Sequence, residues 1–128
     1  MTTKRMEIET LVGLTLASVT EDPNRDELVF VTTEGRKFML YHEQDCCEGV
    51  FIEDICGDLA DLVGEPLLLV EESSNCTDPP RDPGEDSYTW TFYKFATVKG
   101  YVTVRWYGQS NGYYSERVDF VEVLEPLA

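Results

Sequence analysis

Residues 41–48 read YHEQDCCE, which places one histidine, two adjacent thiols and three carboxylates within eight positions. Imidazole, thiolate and carboxylate are all zinc ligands, and with Cys56 and Cys76 a four-ligand set can be written. The spacing argues against it, because there is no C-x₂-C pair and adjacent residues of a strand point to opposite faces. His42, Cys46 and Cys47 therefore form only a third-ranked metal candidate. The simpler expectation puts the two cysteines at a strand end or bulge, one buried as a small hydrophobe and one lining a loop. A cysteine nucleophile activated by His42 is disfavoured, since the surrounding carboxylates raise a thiol pKa. Further along, Glu53, Asp54, Asp58 and Asp61 lack the EF-hand spacing, and two of them suit a helix start, where the dipole favours them. Residues 41–87 contain no lysine, so no carboxylate-plus-lysine nuclease set is present there. No catalytic residue and no cofactor is assigned, and the expectation leans away from an enzyme.

A second constellation comes from the C-terminal third, SYTWTFYKFATVKGYVTVRWYGQSNGYYSERVDFVEV from Ser87. Its alternation, its β-branched and aromatic residues and its turn signals at Lys99-Gly100 and Ser110-Asn111-Gly112 predict a three-stranded antiparallel meander over 87–124. With Lys99-Gly100 as a two-residue loop, Thr97 faces Val102, Phe95 faces Val104 and Tyr93 faces Trp106. A three-residue Ser-Asn-Gly loop, with Gly112 left-handed, keeps the second hairpin in phase and sets Val118 opposite Val104 and Phe120 opposite Val102. The expected core face is then Tyr93, Phe95, Thr97, Val102, Val104, Trp106, Val118 and Phe120. On the opposite face Lys94, Arg105 and Arg117 fall in one row beside Phe92, Tyr101 and Tyr107. Such a row wants an anion, either a small ligand such as a nucleotide gripped by arginine forks or, more simply, carboxylates of the same chain.

The elements that must carry these residues follow from the remaining punctuation. Residues 1–6 are polar and expected to be loose. Glu7 to Val12 suits a short helical turn closed by Gly13, before a strand Leu14 to Thr20. Asp22 to Asp26 is a turn cluster, and Glu27–Thr33 with Arg36–His42 forms a hairpin about Glu34-Gly35. A strand follows at Val50 to Ile55, then a short helix capped by Asp58 and ended by Gly64 and Pro66. The apolar run Leu67–Val70 is expected as a central strand buried on both sides, and 71–86 as an exposed acidic loop. Leu11-Val12-Gly13 and Leu62-Val63-Gly64 echo each other, each preceding a strand. Together these predict a single mainly-β domain over 1–128, about eight mostly antiparallel strands in a sandwich or partly open barrel, with one or two short helices.

Charge is the strongest compositional signal. The 128 residues carry 25 acidic and 10 basic side chains, a formal net of −15, with 42% hydrophobic residues, enough to fold around a core. The excess is localised: residues 41–87 hold 14 acidic residues and one basic, net −13, while residues 88–128 balance at four of each. Such a field repels nucleic acid and anionic membranes and steers basic partners. The carboxylates Glu43, Asp45, Glu48, Glu53, Asp54, Asp58 and Asp61 are the candidate partner-binding set. No run of the chain approaches a membrane span, and MTTKRMEIETLVG lacks an apolar signal core, so a cytoplasmic protein with four reduced cysteines is expected.

The runs YHEQDCCEGVFIEDICGDL and SYTWTFYKFATVKGYVTVRWYGQSNGYYSERVDF resemble a family of small proteins from bacteriophage and prophage genomes, catalogued as a domain of unknown function. The resemblance spans roughly residues 8–124. It implies a phage or mobile-element origin and an intracellular setting, and it brings no activity, cofactor or site residues. The leading functional expectation is a non-enzymatic accessory protein that binds a host protein with a basic surface. The sequence sets no oligomeric state.

Overall fold

The computed structural model describes residues 2–124. Nine strands follow the alternation of apolar and polar residues: β1 Thr2–Arg5, β2 Leu16–Glu21, β3 Glu27–Thr32, β4 Lys37–Tyr41, β5 Gly49–Cys56, β6 Leu69–Asn75, β7 Ser87–Thr97, β8 Gly100–Ser110 and β9 Asp119–Leu124. Two 3₁₀ turns, Ile8–Leu11 and Leu59–Leu62, complete the set. The strands form two antiparallel sheets, ordered β1-β9-β4-β3-β2 and β5-β8-β7-β6, packed as a sandwich. Between them lie Leu28, Phe30, Phe38, Leu40 and Phe120 from one sheet and Ile52, Tyr93, Phe95, Val102, Val104 and Trp106 from the other. The sheets meet at Phe30, whose ring centroid lies 5.4 Å from that of Phe95. Fully burying a side chain of this size contributes about 1.5–3 kcal/mol. This interleaved aromatic layer is what holds the sheets together.

The expected core face of the C-terminal strands is correct in composition. Tyr93, Phe95, Thr97, Val102, Val104, Trp106 and Phe120 are buried, and Val118 is partly so. All three expected β7–β8 pairings slip by two residues, with Tyr93 facing Val104 instead of Trp106. In the β7–β8 hairpin Thr97 faces Gly100 and Phe95 faces Val102, so the turn residues are Val98-Lys99. Thr97 stabilises that turn by accepting the Lys99 N–H at 3.2 Å and donating to the Asp61 carbonyl at 2.5 Å. The slip is even-numbered, so every side chain stays on its expected face.

The larger correction concerns the third strand. Gly112 is left-handed (φ 94°) as expected, but the chain does not return along β8. That edge is occupied by β5 over Gly49 to Cys56, and β9 crosses to the other sheet to pair with β4 and β1. Phe120 still enters the core, from the opposite side.

Three local expectations are also corrected. Thr2–Arg5 is not loose but pairs with β9. Leu67–Val70 is not a central strand, because Leu68 is 60% exposed and β6 forms an edge. Residues 71–75 belong to β6, which leaves 76–86 as the loop.

The Leu-Val-Gly echo has a structural counterpart. Gly13 and Gly64 both take positive φ (87° and 90°), each just after a 3₁₀ turn. The two junctions bond to each other: Gly13 N–H donates to Leu67 O at 2.8 Å, Gly64 N–H to Leu16 O at 2.9 Å, and Leu67 N–H to Leu14 O at 3.0 Å. Glycine reaches this conformation without the penalty a Cβ incurs.

Candidate functional site

Pairing of β6 with β7 sets Glu72 opposite Tyr93 and Ser74 opposite Thr91 on the inward face. Along β7 that face changes character, from Phe95 and Tyr93 to Thr91, Thr89 and Ser87. Beyond Tyr93 the inward positions are hydroxylic, and the segment Tyr114–Val118 shares their cavity. Glu116 fixes that segment: it accepts from Thr89 Oγ1 at 2.8 Å and from Ser110 Oγ at 2.5 Å. The result is a cleft of about 350 Å³ lined by Glu72, Thr89, Thr91, Tyr93, Glu116 and Arg117, among others. Tyr93 is 0% exposed and its hydroxyl has no hydrogen-bond partner. Burial, reinforced by the nearby Glu72 carboxylate, pushes its phenol well above the ordinary tyrosine range.

The electrostatics of the cleft are one-sided. Arg117 is already bridged to Asp119 at 3.1 Å. Asp119 in turn receives Arg5 at 3.3 Å and the Glu43 N–H at 3.0 Å. Glu72 and Glu116 have no ion-pair partner among the described residues. Glu72 also borders two adjoining grooves, one with Glu7, Glu9, Arg5 and Arg117 and one with Glu9, Glu71 and Lys94, the residue paired opposite Glu71. Acceptors therefore outnumber donors along the β6 edge.

The sequence-derived cation row does not form. Lys94 faces Thr103 and Arg105 faces Phe92 within one sheet, while Arg117 lies in the segment that leads to the other. Arg105 is held by Glu53 at 2.5 Å and lies 3.8 Å from Asp54. Lys94 Nζ sits 5.2 Å over the exposed Tyr101 ring. Tyr107 is buried under the 76–86 loop, which straps across the outer face: Trp90 Nε1 donates to Pro79 O at 3.0 Å, Arg81 N–H donates to the Tyr107 hydroxyl at 3.0 Å, and the hydroxyl donates to Glu85. The Arg81 guanidinium caps the Phe51 ring at 5.3 Å. Phe92 is half-buried beside them.

Nor does the His42, Cys46, Cys47 set come together as ligands. Cys46 and Cys47 are joined as a vicinal disulfide, contrary to the expected thiols, while Cys56 and Cys76 are free and exposed. Both His42 ring nitrogens are engaged, Nδ1 with the Arg117 carbonyl and Nε2 with Glu48, each at 2.7 Å. No group of three or more histidine, cysteine or acidic side chains is placed to hold a metal among the described residues. The organising group here is Glu48. Its side chain is fully buried and accepts from His42 and from the Asp45 and Cys46 N–H groups at 2.9 Å each. These bonds, His42 first, lower its pKa to about 2 against the opposing effect of burial.

The seven carboxylates expected to bind a partner separate by use. Glu48 is internal, Glu53 and Asp54 bind Arg105, Asp58 accepts the Ala60 N–H at 2.9 Å, and Glu43 accepts from Tyr41 at 3.0 Å. Asp45 and Asp61 keep side chains without an internal polar partner among the described residues. Glu72, Tyr93 and Glu116 were not singled out as site residues. The available signal was the hydroxyl series Ser87, Thr89 and Thr91 at inward positions of a strand, which core packing does not require.

No curated protein and no solved structure matches the chain. The model of a domain of unknown function, DUF7448, matches residues 6–120, nearly the whole chain. The chain belongs to the DUF7448 family.

Proposed function

We propose that this chain is a non-enzymatic protein-binding module that engages a partner with a basic surface through its β6 edge. One observation carries the reading. Each of the six arginines already bridges a carboxylate, yet Glu71, Glu72 and Glu116 have no ion-pair partner among the described residues. An acidic edge left unmatched by a chain of net −15 attracts cationic surfaces, and such contacts govern encounter rate and specificity. The resemblance to phage and prophage proteins makes a host protein, met in the host cytoplasm, the natural partner for such an accessory factor. No observation favours the alternative of an anionic ligand at Lys94, Arg105 and Arg117, since both arginines are bridged internally.

The test captures partners from host lysate on the tagged chain at low and high salt, with a Glu71→Gln/Glu72→Gln variant as control. A partner retained at low salt, released at high salt and lost by the variant supports the reading. Equal recovery by the variant, or no partner in either condition, sinks it.

A further inference from the structure

We infer that the cleft over Tyr93 is a receptor for a single guanidinium side chain, supplied by an arginine of the basic partner; this inference rests on the docking face proposed above. The argument starts from the floor. The Tyr93 hydroxyl is buried beside the Glu72 carboxylate without a hydrogen bond of normal geometry, so it gives up its bonds to water for little in return. Phenylalanine would avoid that cost, and because Tyr93 lines the cleft its hydroxyl oxygen is an acceptor offered to a donor that enters there.

The walls specify the chemistry. Glu72 and Glu116 are carboxylates without a cation among the described residues, and Ser74, Thr89 and Thr91 add hydroxyl oxygens on the same lining. The Arg117 charge at the rim is neutralised by Asp119, 3.1 Å away. A site with acceptors on several sides and a net negative wall suits a planar cation with donors directed to several sides. Guanidinium presents five N–H donors in a fixed fork, whereas an ammonium is a compact point charge with three. The cleft opens onto the two grooves bordered by Glu7, Glu9 and Glu71, so a peptide backbone can lie along the β6 edge while one side chain enters. Tyr93, whose burial and neighbouring Glu72 carboxylate keep the phenol protonated, then serves as a neutral contact beside the guanidinium.

The experiment titrates the full chain with Nα-acetyl-arginine methylamide, Nα-acetyl-lysine methylamide and potassium chloride in separate arms, read by amide chemical shifts. The arginine probe is expected to give saturable shifts at Thr91, Tyr93 and Glu116, at least about fivefold tighter than the lysine probe. Glu72→Gln should weaken it about tenfold, the loss of one charge-assisted bond. Tyr93→Phe should weaken it about threefold while the melting temperature holds or rises, an outcome that separates a binding role from a structural one. No saturable shift in the cleft, equal binding of lysine or potassium ion, or unchanged affinity in both variants overturns the inference. If an arginine-rich peptide still binds in a Glu71- and Glu72-dependent way without shifting the cleft, this inference alone falls. If that peptide does not bind either, the docking face falls with it.

Discussion

At the scale of single residues the chain inverts the chemistry its most unusual segment advertises. YHEQDCCE draws attention to thiols and imidazole, but the carboxylate of Glu48 is the hub, collecting an imidazole and two backbone N–H groups. Its pKa, lowered to about 2 from an unfolded value near 4.3, fixes the sign of the pH dependence. A depressed carboxylate contributes stability that is fully present above the unfolded pKa and is lost as pH falls through the folded one. Glu48→Gln should therefore melt below the wild type at pH 7, and the gap should close as pH falls from about 4 towards 2. A gap constant across that range in thermal melts would show that the charge is not what stabilises the loop. The segment was legible as special because of its composition. Which of its groups is central was not, since that depends on the Arg117 carbonyl arriving from 75 residues away.

At the scale of elements, periodicity encoded faces and left partners open. Alternation in SYTWTFYKFAT and YVTVRWYG identified the buried side of β7 and β8 correctly, because the side-chain period of a strand is local. The identity of the third strand is not local. β5 holds the free edge of β8, and β9 finds β4 instead. Gly108 marks the crossing, since a Cβ there would stand 2.5 Å from the Glu116 carbonyl oxygen. Gly108→Ala should cost roughly 1–3 kcal/mol by overpacking, measurable by urea denaturation, and a neutral effect would mean the 111–118 segment does not cross β8 so closely. Loop 76–86 offers a second test. Trp90→Phe removes the donor to Pro79 O, worth about 1 kcal/mol. Limited proteolysis should then cut within 76–86 several-fold faster than in the wild type, whereas an unchanged rate would deny the strap its anchor.

At the scale of the whole molecule, the sandwich and the acidic excess could both be read from the chain, the first from strand count and alternation, the second from charge. The acidic face could not. Five of the seven carboxylates of residues 43–61 are engaged by internal partners, whereas Glu71 and Glu72 stand exposed on β6, which only pairing with β7 reveals as an edge. A net charge of −15 also predicts self-repulsion. Raising sodium chloride from about 10 mM to about 0.5 M shortens the screening length several-fold and should raise the melting temperature; a fall would mean that attractive ion pairs outweigh repulsion. Within the described residues no helix is long and apolar enough to cross a membrane. The most direct measurement is amide chemical-shift mapping of the full chain titrated with an arginine-rich peptide at low salt. If the unmatched β6 edge is the docking face, the largest shifts fall on Glu71 to Ser74 and vanish at high salt, and the guanidinium receptor adds shifts at Thr91, Tyr93 and Glu116. Shifts confined to the Glu43 to Asp61 flank, or none at all, would contradict it.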